Sequence, residues 1–210
     1  MNIIGDIAGN YLTFLALIKK MPDDPIVSVG DMIDRGPRSK EVLEWFMRHG
    51  SALLGNHEHL MLSAYRSRQA DQVFSWIGTG GQATLDSFGL APEEVRNIPE
   101  PFIEWVSSLP LYLESHGAFV SHAPRDPSIK LPLARDHDNY DEQVKKFIWN
   151  RNKPVRGIRY QIFGHNSHFG LKKFEDERGD YAICLDSSWQ STLTGINWPA
   201  GTIYQQPYID

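Results

Sequence analysis

The chain is poor in cysteine, in long apolar runs and in basic charge. Cys184 is its single cysteine, so no internal disulfide can form and the class of disulfide-rich secreted domains is excluded. No run approaches the roughly 18 apolar residues that a bilayer-spanning helix needs. With 21 basic and 26 acidic side chains the formal net charge is −5, which gives no general attraction for nucleic acid or anionic membranes. We therefore expect neither nucleic acid nor a membrane as a partner.

The length and composition are those of an ordinary globular domain. The chain has 210 residues, of which 41% are hydrophobic and 22% are charged. This length is enough for one domain with a sizeable core and too short for two domains that each have such a core. Met1 and Asn2 lead directly into the first apolar run, and we therefore expect no signal peptide. We expect a single domain over residues 1–210, located in the cytoplasm.

Five short apolar runs are each followed at once by polar side chains. The runs have the length and composition of buried strands, and they are Ile3-Ile4, Ile26 to Val29, Ala52 to Leu54, Ala118 to Val120 and Gln161 to Phe163. The polar residues that follow them, in the same order, are Asp6; Asp31, Asp34 and Arg35; Asn56 and His57; His122; and His165. Because ligands bind at the carboxyl ends of strands in open α/β sheets, we expect these groups to share one site at one sheet edge.

The residue types in this set indicate metal and phosphate chemistry. Carboxylate, amide and imidazole ligands together suit Mn, Fe or Zn better than Ca or Mg alone. A pair of divalent ions about 3.5–4 Å apart is a common device for in-line displacement at phosphorus. Arg35 directly follows Asp34, and its planar guanidinium can clamp phosphate oxygens. The pattern predicts a metal-dependent site that acts on phosphate.

Three motifs carry a resemblance to a known family. GDIAG at residues 5–9, GDMIDRG at residues 30–36 and GNHE at residues 55–58 occur in this order and are followed by His122 and His165. The chain thereby resembles the calcineurin-like metallophosphoesterases, in the phosphoprotein phosphatase branch that includes the lambda-phage type phosphatase and bacterial diadenosine tetraphosphate hydrolases. Further agreement lies at residues 76–81 with Thr84, at residues 148–151 and at residues 163–165. The resemblance spans roughly residues 2–187 and implies an α/β fold, with a central β-sandwich flanked by helices.

The resemblance also implies which residues hold metal. Asp31 would bridge two divalent ions, most often Mn²⁺ with Fe or Zn as alternatives, and Asp6 would help to hold the first ion. Asn56, His122 and His165 would hold the second ion. A metal-bound hydroxide would be the nucleophile, because coordination lowers the pKa of water toward neutrality.

The resemblance assigns the catalytic roles to four other residues. His57 would protonate the leaving oxygen, and Asp34 would orient His57. Arg35 and Arg151 would bind the phosphate group. These roles imply a hydrolase of phosphate esters, similar to serine/threonine protein phosphatases. The alternative within the same branch is a hydrolase of dinucleoside polyphosphates, and either substrate is phosphorylated.

Ala8 departs from the first motif, which has a histidine there as a ligand of the first ion. Alanine has no donor atom, so we expect the first ion to bind more weakly. Three explanations stay open: an introduced replacement of histidine, a natural variant with one metal or an oxygen-rich site, and a phosphate-ligand binder without turnover. His59 is a poor substitute, because two positions beyond His57 on a helix it points to a different face.

Apolar spacing predicts the helices that connect these strands. We expect them at residues 11–20, 39–49, 60–68, 73–88, 99–107 and 140–151, with the last helix delivering Arg151. Residues 125–139, rich in proline and charge, are expected to form a loop over the site. The tryptophans, Trp76 and Trp189 among them, are expected to pack in the core or in a lid.

Overall fold

The computed structural model describes residues 1–67, 69–133 and 139–210. Among these residues the strands are β1 (Asn2–Ile4), β2 (Ile26–Ser28), β3 (Ser51–Ala52), β4 (Tyr112–Ser115), β5 (Ala118–Ser121), β6 (Tyr160–Phe163), β7 (Lys172–Asp176), β8 (Gly179–Cys184), β9 (Thr192–Asn197) and β10 (Thr202–Pro207). They form two sheets of five strands each. The predicted α/β architecture with a central β-sandwich is confirmed.

The helices connect the strands and cover the sheets. They are α1 (Tyr11–Ile18), α2 (Ser39–His49), α3 (Asn56–Arg66), α4 (Ala70–Trp76), α5 (Gln82–Phe88), α6 (Glu100–Ser108) and α7 (Tyr140–Ile148). A π-helical turn, Ile77–Gly81, joins α4 to α5, and two 3₁₀ helices span Pro92–Asn97 and Ser188–Gln190. No helix in the described part of the chain has both the length and the apolar character to cross a membrane.

The first sheet has the strand order β10-β9-β1-β2-β3, and the second has the order β4-β5-β6-β8-β7. In the first sheet β1, β2 and β3 run parallel, and β9 and β10 add an antiparallel edge. In the second sheet β5, β6 and β8 run parallel, and β4 and β7 are antiparallel at the two edges. Each sheet therefore has a parallel centre whose carboxyl ends can carry functional residues.

One apolar cluster joins the two sheets face to face. Its buried members come from both sheets: Ile3, Val29, Leu53, Ala118, Val120, Ile162, Ile183, Leu185 and Ile196. Strands buried on both faces read as continuous apolar runs, which is why the five predicted strands were recognisable from sequence. The prediction that all five share one sheet was wrong, because β1, β2 and β3 lie in one sheet and β5 and β6 in the other.

A larger cluster packs helices against the first sheet and extends to Phe119 of β5 and to α7. On α2, Val42, Leu43 and Phe46 are buried, which is the spacing of one apolar helix face. Phe14 of α1 packs edge-on against Trp45 and tilted against Phe46. This layer holds the loops after β1 and β2 against the sheet, where the first two motifs lie.

Several predicted helix boundaries differ from those of the structure, and two of the differences affect the site. Helix α3 begins at Asn56 rather than after the GNHE motif, so the motif residues occupy its first turn. Helix α7 ends at Ile148, three residues before Arg151, so Arg151 lies in the loop that follows. The expected loop over the site includes residues 134–138, which lie outside the described residues. In its described part, Ile129 is buried in the larger core.

Candidate metal centre and phosphate site

Five site residues have a strained backbone. Ala8, Asp31, Asp34, Arg35 and His165 all have positive φ angles, between 49° and 72°. Residues other than glycine rarely adopt this left-handed conformation. Such strain persists where the surrounding structure over-determines it, and it concentrates at functional sites. The backbone conformation therefore indicates a functional site at the predicted motifs, independently of their side chains.

The carboxyl ends of both sheets contribute to one centre. Asp31 follows β2 in the first sheet, while His122 directly follows β5 and His165 closely follows β6 in the second. One ligand atom from each of these three residues lies within 4.8 Å of the other two. All three side chains are buried. The structure thus brings together, from two sheets, three of the five predicted metal ligands.

Asn56 lies at the centre of this group. Its Oδ1 is 2.9 Å from Nε2 of His122 and 2.7 Å from Nδ1 of His165. Nε2 of His122 is also 3.3 Å from Oδ1 of Asp31. The side chains of Asp31, Asn56, His122 and His165 therefore converge within hydrogen-bonding distance.

The protonation of the two histidines fits a bound cation. Burial lowers the pKa of His122, and burial together with His122 lowers the pKa of His165 to about 3. A neutral imidazole has one N–H, yet both nitrogens of His122 face oxygen acceptors, the second being the Val29 carbonyl at 3.2 Å. One of these contacts therefore lacks a hydrogen. A divalent cation held by Nε2 would resolve the conflict, because Nδ1–H could then donate to the carbonyl as in many metal sites.

Asp6 adds a second carboxylate next to this group. The backbone N–H of His165 donates to both of its oxygens, at 3.2 and 3.1 Å. A side chain at Gly164 would collide with the Asp6 carboxylate, so glycine permits this close approach. Burial, with the nearby charges of Asp186 and Asp31, raises the pKa of Asp6 well above its ordinary value. Crowded buried carboxylates of this kind favour a cation among them.

Asp186 is a site residue to which the sequence analysis assigned no role. It is buried, and the backbone N–H and hydroxyl of Ser188 donate to its Oδ1 at 3.1 and 2.6 Å. A signal for it was present, because Asp186 follows the apolar run of β8 just as the other site residues follow their strands. The third parallel strand of the second sheet therefore also delivers a carboxylate to the centre.

His57 and Asp34 form a buried pair beside the centre. Nδ1 of His57 lies 2.6 Å from Oδ2 of Asp34. The indole N–H of Trp76 donates to the same carboxylate at 3.0 Å, and the hydroxyl of Thr84 donates to its other oxygen at 2.6 Å. Trp76 is buried as expected, but its indole N–H also gives it a polar function. Asp34 is thus held in one orientation, which fixes the ring of His57.

The pair shifts the protonation of His57. Burial opposes the charged form, but the carboxylates of Asp31 and Asp34 outweigh it and raise the pKa of His57 to about 9. The backbone N–H of His57 also donates to Oδ1 of Asp31 at 3.0 Å. An imidazolium with its Nδ1 engaged by Asp34 keeps its other proton on Nε2. This arrangement is that of a general acid.

Glu58 ties the second and third motifs together. Its carboxylate accepts the backbone N–H groups of Asp31 at 2.9 Å, Met32 at 2.7 Å and Gly55 at 3.0 Å. Burial and the nearby Asp31 raise the pKa of Glu58 to about 7. The sequence analysis gave this residue no role. As the third residue of α3 it has the position of the glutamate in a helix capping box.

The two predicted phosphate-binding arginines are both exposed. Nη2 of Arg35 lies 3.1 Å from Nε2 of His57, and the Arg35 backbone N–H donates to the Gly80 carbonyl at 3.1 Å. Arg151 donates to the His165 carbonyl at 3.3 Å. Both guanidinium groups thus lie next to residues of the centre.

A cavity of about 520 Å³ opens beside Arg35. Its lining includes Ala8, Ser188, Trp189 and Tyr208. Trp189 is 84% exposed, so the expectation that it packs in a core or lid was wrong. His59 lines a different cavity, between α3 and α7, and does not stand in for the missing histidine at position 8.

Comparisons with known proteins agree with this geometry. The profile of the calcineurin-like phosphoesterase family matches residues 2–177. The serine/threonine-protein phosphatase 2 of Escherichia coli (strain K12) is 24% identical over 188 residues, which cover 83% of each chain. The symmetrical bis(5'-nucleosyl)-tetraphosphatase of Methylobacillus flagellatus is 33% identical over 127 residues, which cover 57% of this chain and 41% of that relative. The match thus spans less than half of the tetraphosphatase.

Solved structures share the fold. One is the structure of a candidate diadenosine tetraphosphatase, with a TM-score of 0.73 and 22% sequence identity. The match covers 100% of this chain and 93% of the tetraphosphatase chain. A protein serine/threonine phosphatase from Saccharomyces cerevisiae has a TM-score of 0.65 and 16% sequence identity. The match covers 100% of this chain and 80% of the yeast chain. Since the family profile covers most of the sequence and the fold agrees, the chain belongs to the calcineurin-like phosphoesterase family of metal-dependent hydrolases.

Proposed function

We propose that the chain hydrolyses phosphate monoesters with two divalent metal ions, as a phosphatase of the serine/threonine type. The observation that carries the proposal is that Nε2 of His122 lies 2.9 Å from Oδ1 of Asn56 and 3.3 Å from Oδ1 of Asp31, beside the buried pair of His57 and Asp34. A metal centre and a positioned acid lie next to each other. This combination suits hydrolysis at phosphorus.

The proposed ligand sets are those that the family resemblance implies. Asp31 would bridge the ions, with Asp6 on the first. Asn56, His122 and His165 would hold the second. Mixed oxygen and nitrogen donors favour Mn²⁺ over Mg²⁺ or Ca²⁺, with Fe or Zn as alternatives. When bound, the ions would supply positive charge and an activated water.

Three side chains would handle the substrate. The protonated Nε2 of His57 would donate to the leaving oxygen, while Asp34 holds the ring. Nη2 of Arg35 and Nε2 of His57 lie 3.1 Å apart, so with Nε2 protonated one phosphate oxygen facing both could accept a hydrogen bond from each. The exposed guanidinium of Arg151 would contact the same phosphate from the side of His165.

The comparisons bear on the substrate. The match to serine/threonine-protein phosphatase 2 covers 83% of that relative, against 41% for the tetraphosphatase, which favours phosphomonoesters such as phosphoproteins. A dinucleoside polyphosphate is the second candidate, supported by exposed Trp189 in the cavity next to Arg35. Aromatic rings of this kind stack on nucleobases. A phosphate-ligand binder without turnover is the third candidate, and it rests on Ala8.

Product analysis tests these candidates. The metal-free chain would be assayed with and without Mn²⁺ on a phosphoserine peptide and on diadenosine tetraphosphate. We expect Mn²⁺-dependent release of phosphate from the peptide, with a loss of about 10²-fold or more in His57→Asn and no comparable loss in His59→Asn, its control on the same helix. Nucleotide products alone would favour the second candidate. Substrate binding without any product would favour the third.

Two properties of the whole protein remain part of this proposal. We propose that residues 1–210 form one domain and that the protein acts in the cytoplasm. The single cysteine supports the cytoplasmic location, since the proposed site does not depend on a disulfide. The first ion is proposed to bind more weakly than the second, because Ala8 has no donor atom.

A further inference from the structure

Tyr208 has a feature that the proposed function leaves unexplained. Its hydroxyl oxygen is buried, yet it has no hydrogen-bond partner among the described residues. Buried hydroxyl groups are nearly always paired, since an unpaired one loses its bonds to water without replacement. A hydroxyl group in this situation points to a partner that the polypeptide itself does not provide.

The backbone around Tyr208 is firmly held against the first motif. After β10, the Tyr208 N–H donates to the Ser191 carbonyl at 2.9 Å, and the Ile209 N–H donates to the Thr13 hydroxyl oxygen at 3.0 Å. The Asp210 carboxylate accepts the Thr13 hydroxyl at 2.6 Å and the backbone N–H of Leu12 at 2.8 Å. These bonds fix residues 208–210 at the start of α1, which directly follows the GDIAG loop.

Tyr208 and Ala8 line the same cavity. The cavity is the one of about 520 Å³ beside Arg35. Burial, then the charges of Asp6 and Asp186, raise the pKa of the Tyr208 phenol. This agrees with a position near negative charge, and the shared cavity places Tyr208 next to position 8, where the family has its first-motif histidine.

We propose that Tyr208 is a ligand of the first metal ion, in place of the histidine that the family has at position 8. The proposal rests on the proposed function, in which the centre holds two ions. To hold the ion, the Tyr208 phenol would lose its O–H proton to solvent and offer the oxygen as phenolate, with no change of oxidation state. An oxygen donor in place of nitrogen shifts the first position toward harder ions such as Mn²⁺.

Metal binding to four forms of the full chain tests this assignment. After treatment with EDTA, wild type, Tyr208→Phe, Tyr204→Phe and the double variant Tyr208→Phe with Ala8→His would be titrated with Mn²⁺ in a calorimeter. We expect wild type to bind one ion tightly and one more weakly. Tyr208→Phe should weaken the second event at least tenfold. Tyr204→Phe, the matched control on β10, should bind as wild type does, and the added histidine should restore the lost ion.

The melting temperature of Tyr208→Phe shows whether this variant still folds. Removing an unpaired buried hydroxyl should leave the melting temperature of metal-free Tyr208→Phe equal to or above that of wild type. Ferric ion added to metal-free wild type should give a visible absorption band from phenolate to iron, and the band should disappear in Tyr208→Phe.

The outcomes separate this inference from the proposed function. Unchanged binding of both ions by Tyr208→Phe, together with absence of the ferric band in wild type, would overturn the role of Tyr208 and leave the phosphatase proposal standing. Wild type that binds no Mn²⁺ at all would overturn the two-metal proposal itself. A single ion bound equally by wild type and Tyr208→Phe would also exclude Tyr208 as a ligand.

Discussion

The ring of His57 is held in place by a chain of buried neighbours. Asp34 holds Nδ1 at 2.6 Å, and Trp76 and Thr84 in turn hold Asp34. The ring therefore cannot rotate without breaking a buried network, and such networks are worth more than their separate bonds suggest. The orientation of the His57 ring is thus set by Asp34 and by the two residues that hold Asp34.

The first prediction concerns Asp34→Asn. The amide keeps the shape but removes the negative charge, so the pKa of His57 falls and the ring loses its fixed orientation. We expect the rate of hydrolysis to fall by about 10²- to 10⁴-fold for a substrate with a poor leaving group such as phosphoserine. The loss should be smaller for p-nitrophenyl phosphate, whose leaving group needs little help from an acid. Steady-state kinetics on both substrates measures this, and equal losses would contradict a role in leaving-group protonation.

The second prediction concerns the pH dependence of stability without metal. The pKa of His57 in the folded protein is about 9, above the ordinary 6.5. The stabilisation from its charge is therefore complete below about pH 6.5 and is lost as the pH rises through about 9. Between these limits, the free energy of unfolding of EDTA-treated wild type should fall by roughly 3 kcal/mol more than that of His57→Gln. Urea denaturation at both pH values measures the difference, and parallel curves would refute it.

The sequence could predict residues within ordered motifs better than residues outside them. Asp31, Asn56, His122 and His165 were named from their motifs, and the structure brings all four together. The roles of Trp76, Thr84, Asp186 and Glu58 were not assigned, because each acts through a partner that is distant in sequence or through the backbone. Thr84, for example, is 50 positions from Asp34, to which it donates.

At the scale of elements, local hydrogen bonds explain the two misplaced helix ends. The Glu58 carboxylate accepts the Gly55 N–H at 3.0 Å, which caps the start of α3 one turn earlier than its apolar spacing suggested. After α7, the Asn152 N–H donates to the Asn150 side chain at 3.0 Å, and that side chain donates to the Pro124 carbonyl at 2.8 Å. Asparagine bonded to its own backbone in this way favours a turn over further helix.

The third prediction concerns the π-helical turn Ile77–Gly81. Gly80 has a φ of 114°, and a side chain there would lie 2.8 Å from Cγ of Arg35. Gly80→Ala should therefore strain the turn and displace Arg35, raising KM for a phosphomonoester by about tenfold or more, since about 1.4 kcal/mol of lost phosphate binding is a factor of ten.

Gly78→Ala is the matched control for this change, because a side chain at Gly78 meets nothing within 4 Å. Its KM should stay at the wild-type value. Steady-state kinetics of the two variants side by side makes the comparison. An equal effect of both would mean that the turn matters for its flexibility rather than for its contact with Arg35.

At the scale of the whole molecule, sequence patterns predicted the central strands but not the sheet to which each strand belongs. The buried central strands have continuous apolar runs, whereas the edge strand β7 reads Lys-Lys-Phe-Glu-Asp and buries only Phe174. Such a strand has no alternation to recognise. The division of the parallel strands between two sheets depends on contacts between distant segments, which no local pattern encodes. The site was nevertheless predictable, since it needs only the carboxyl ends of the strands to meet.

The last prediction follows from this division. Asp31 and Asn56 follow strands of the first sheet, and His122 and His165 follow strands of the second, so an ion held by them would tie the two halves of the sandwich together. A ligand that binds only the folded state stabilises it by about 2.7 kcal/mol at 100 times its dissociation constant. For a domain of this size we therefore expect Mn²⁺ to raise the melting temperature by about 5–10 °C over the EDTA-treated protein.

Calorimetric melting temperatures of wild type and two variants distinguish an ion bound at the centre from general effects of salt. Wild type should show the full rise with Mn²⁺, and His122→Ala should lose most of it, because the variant removes a ligand from the second sheet. His168→Ala is the matched control: this histidine is exposed and follows the same strand as His165, so its rise should equal that of wild type. A rise of equal size in His122→Ala would mean that the ion binds elsewhere. In that event the contacts among Asp31, Asn56 and the two histidines would hold the sheets together without metal.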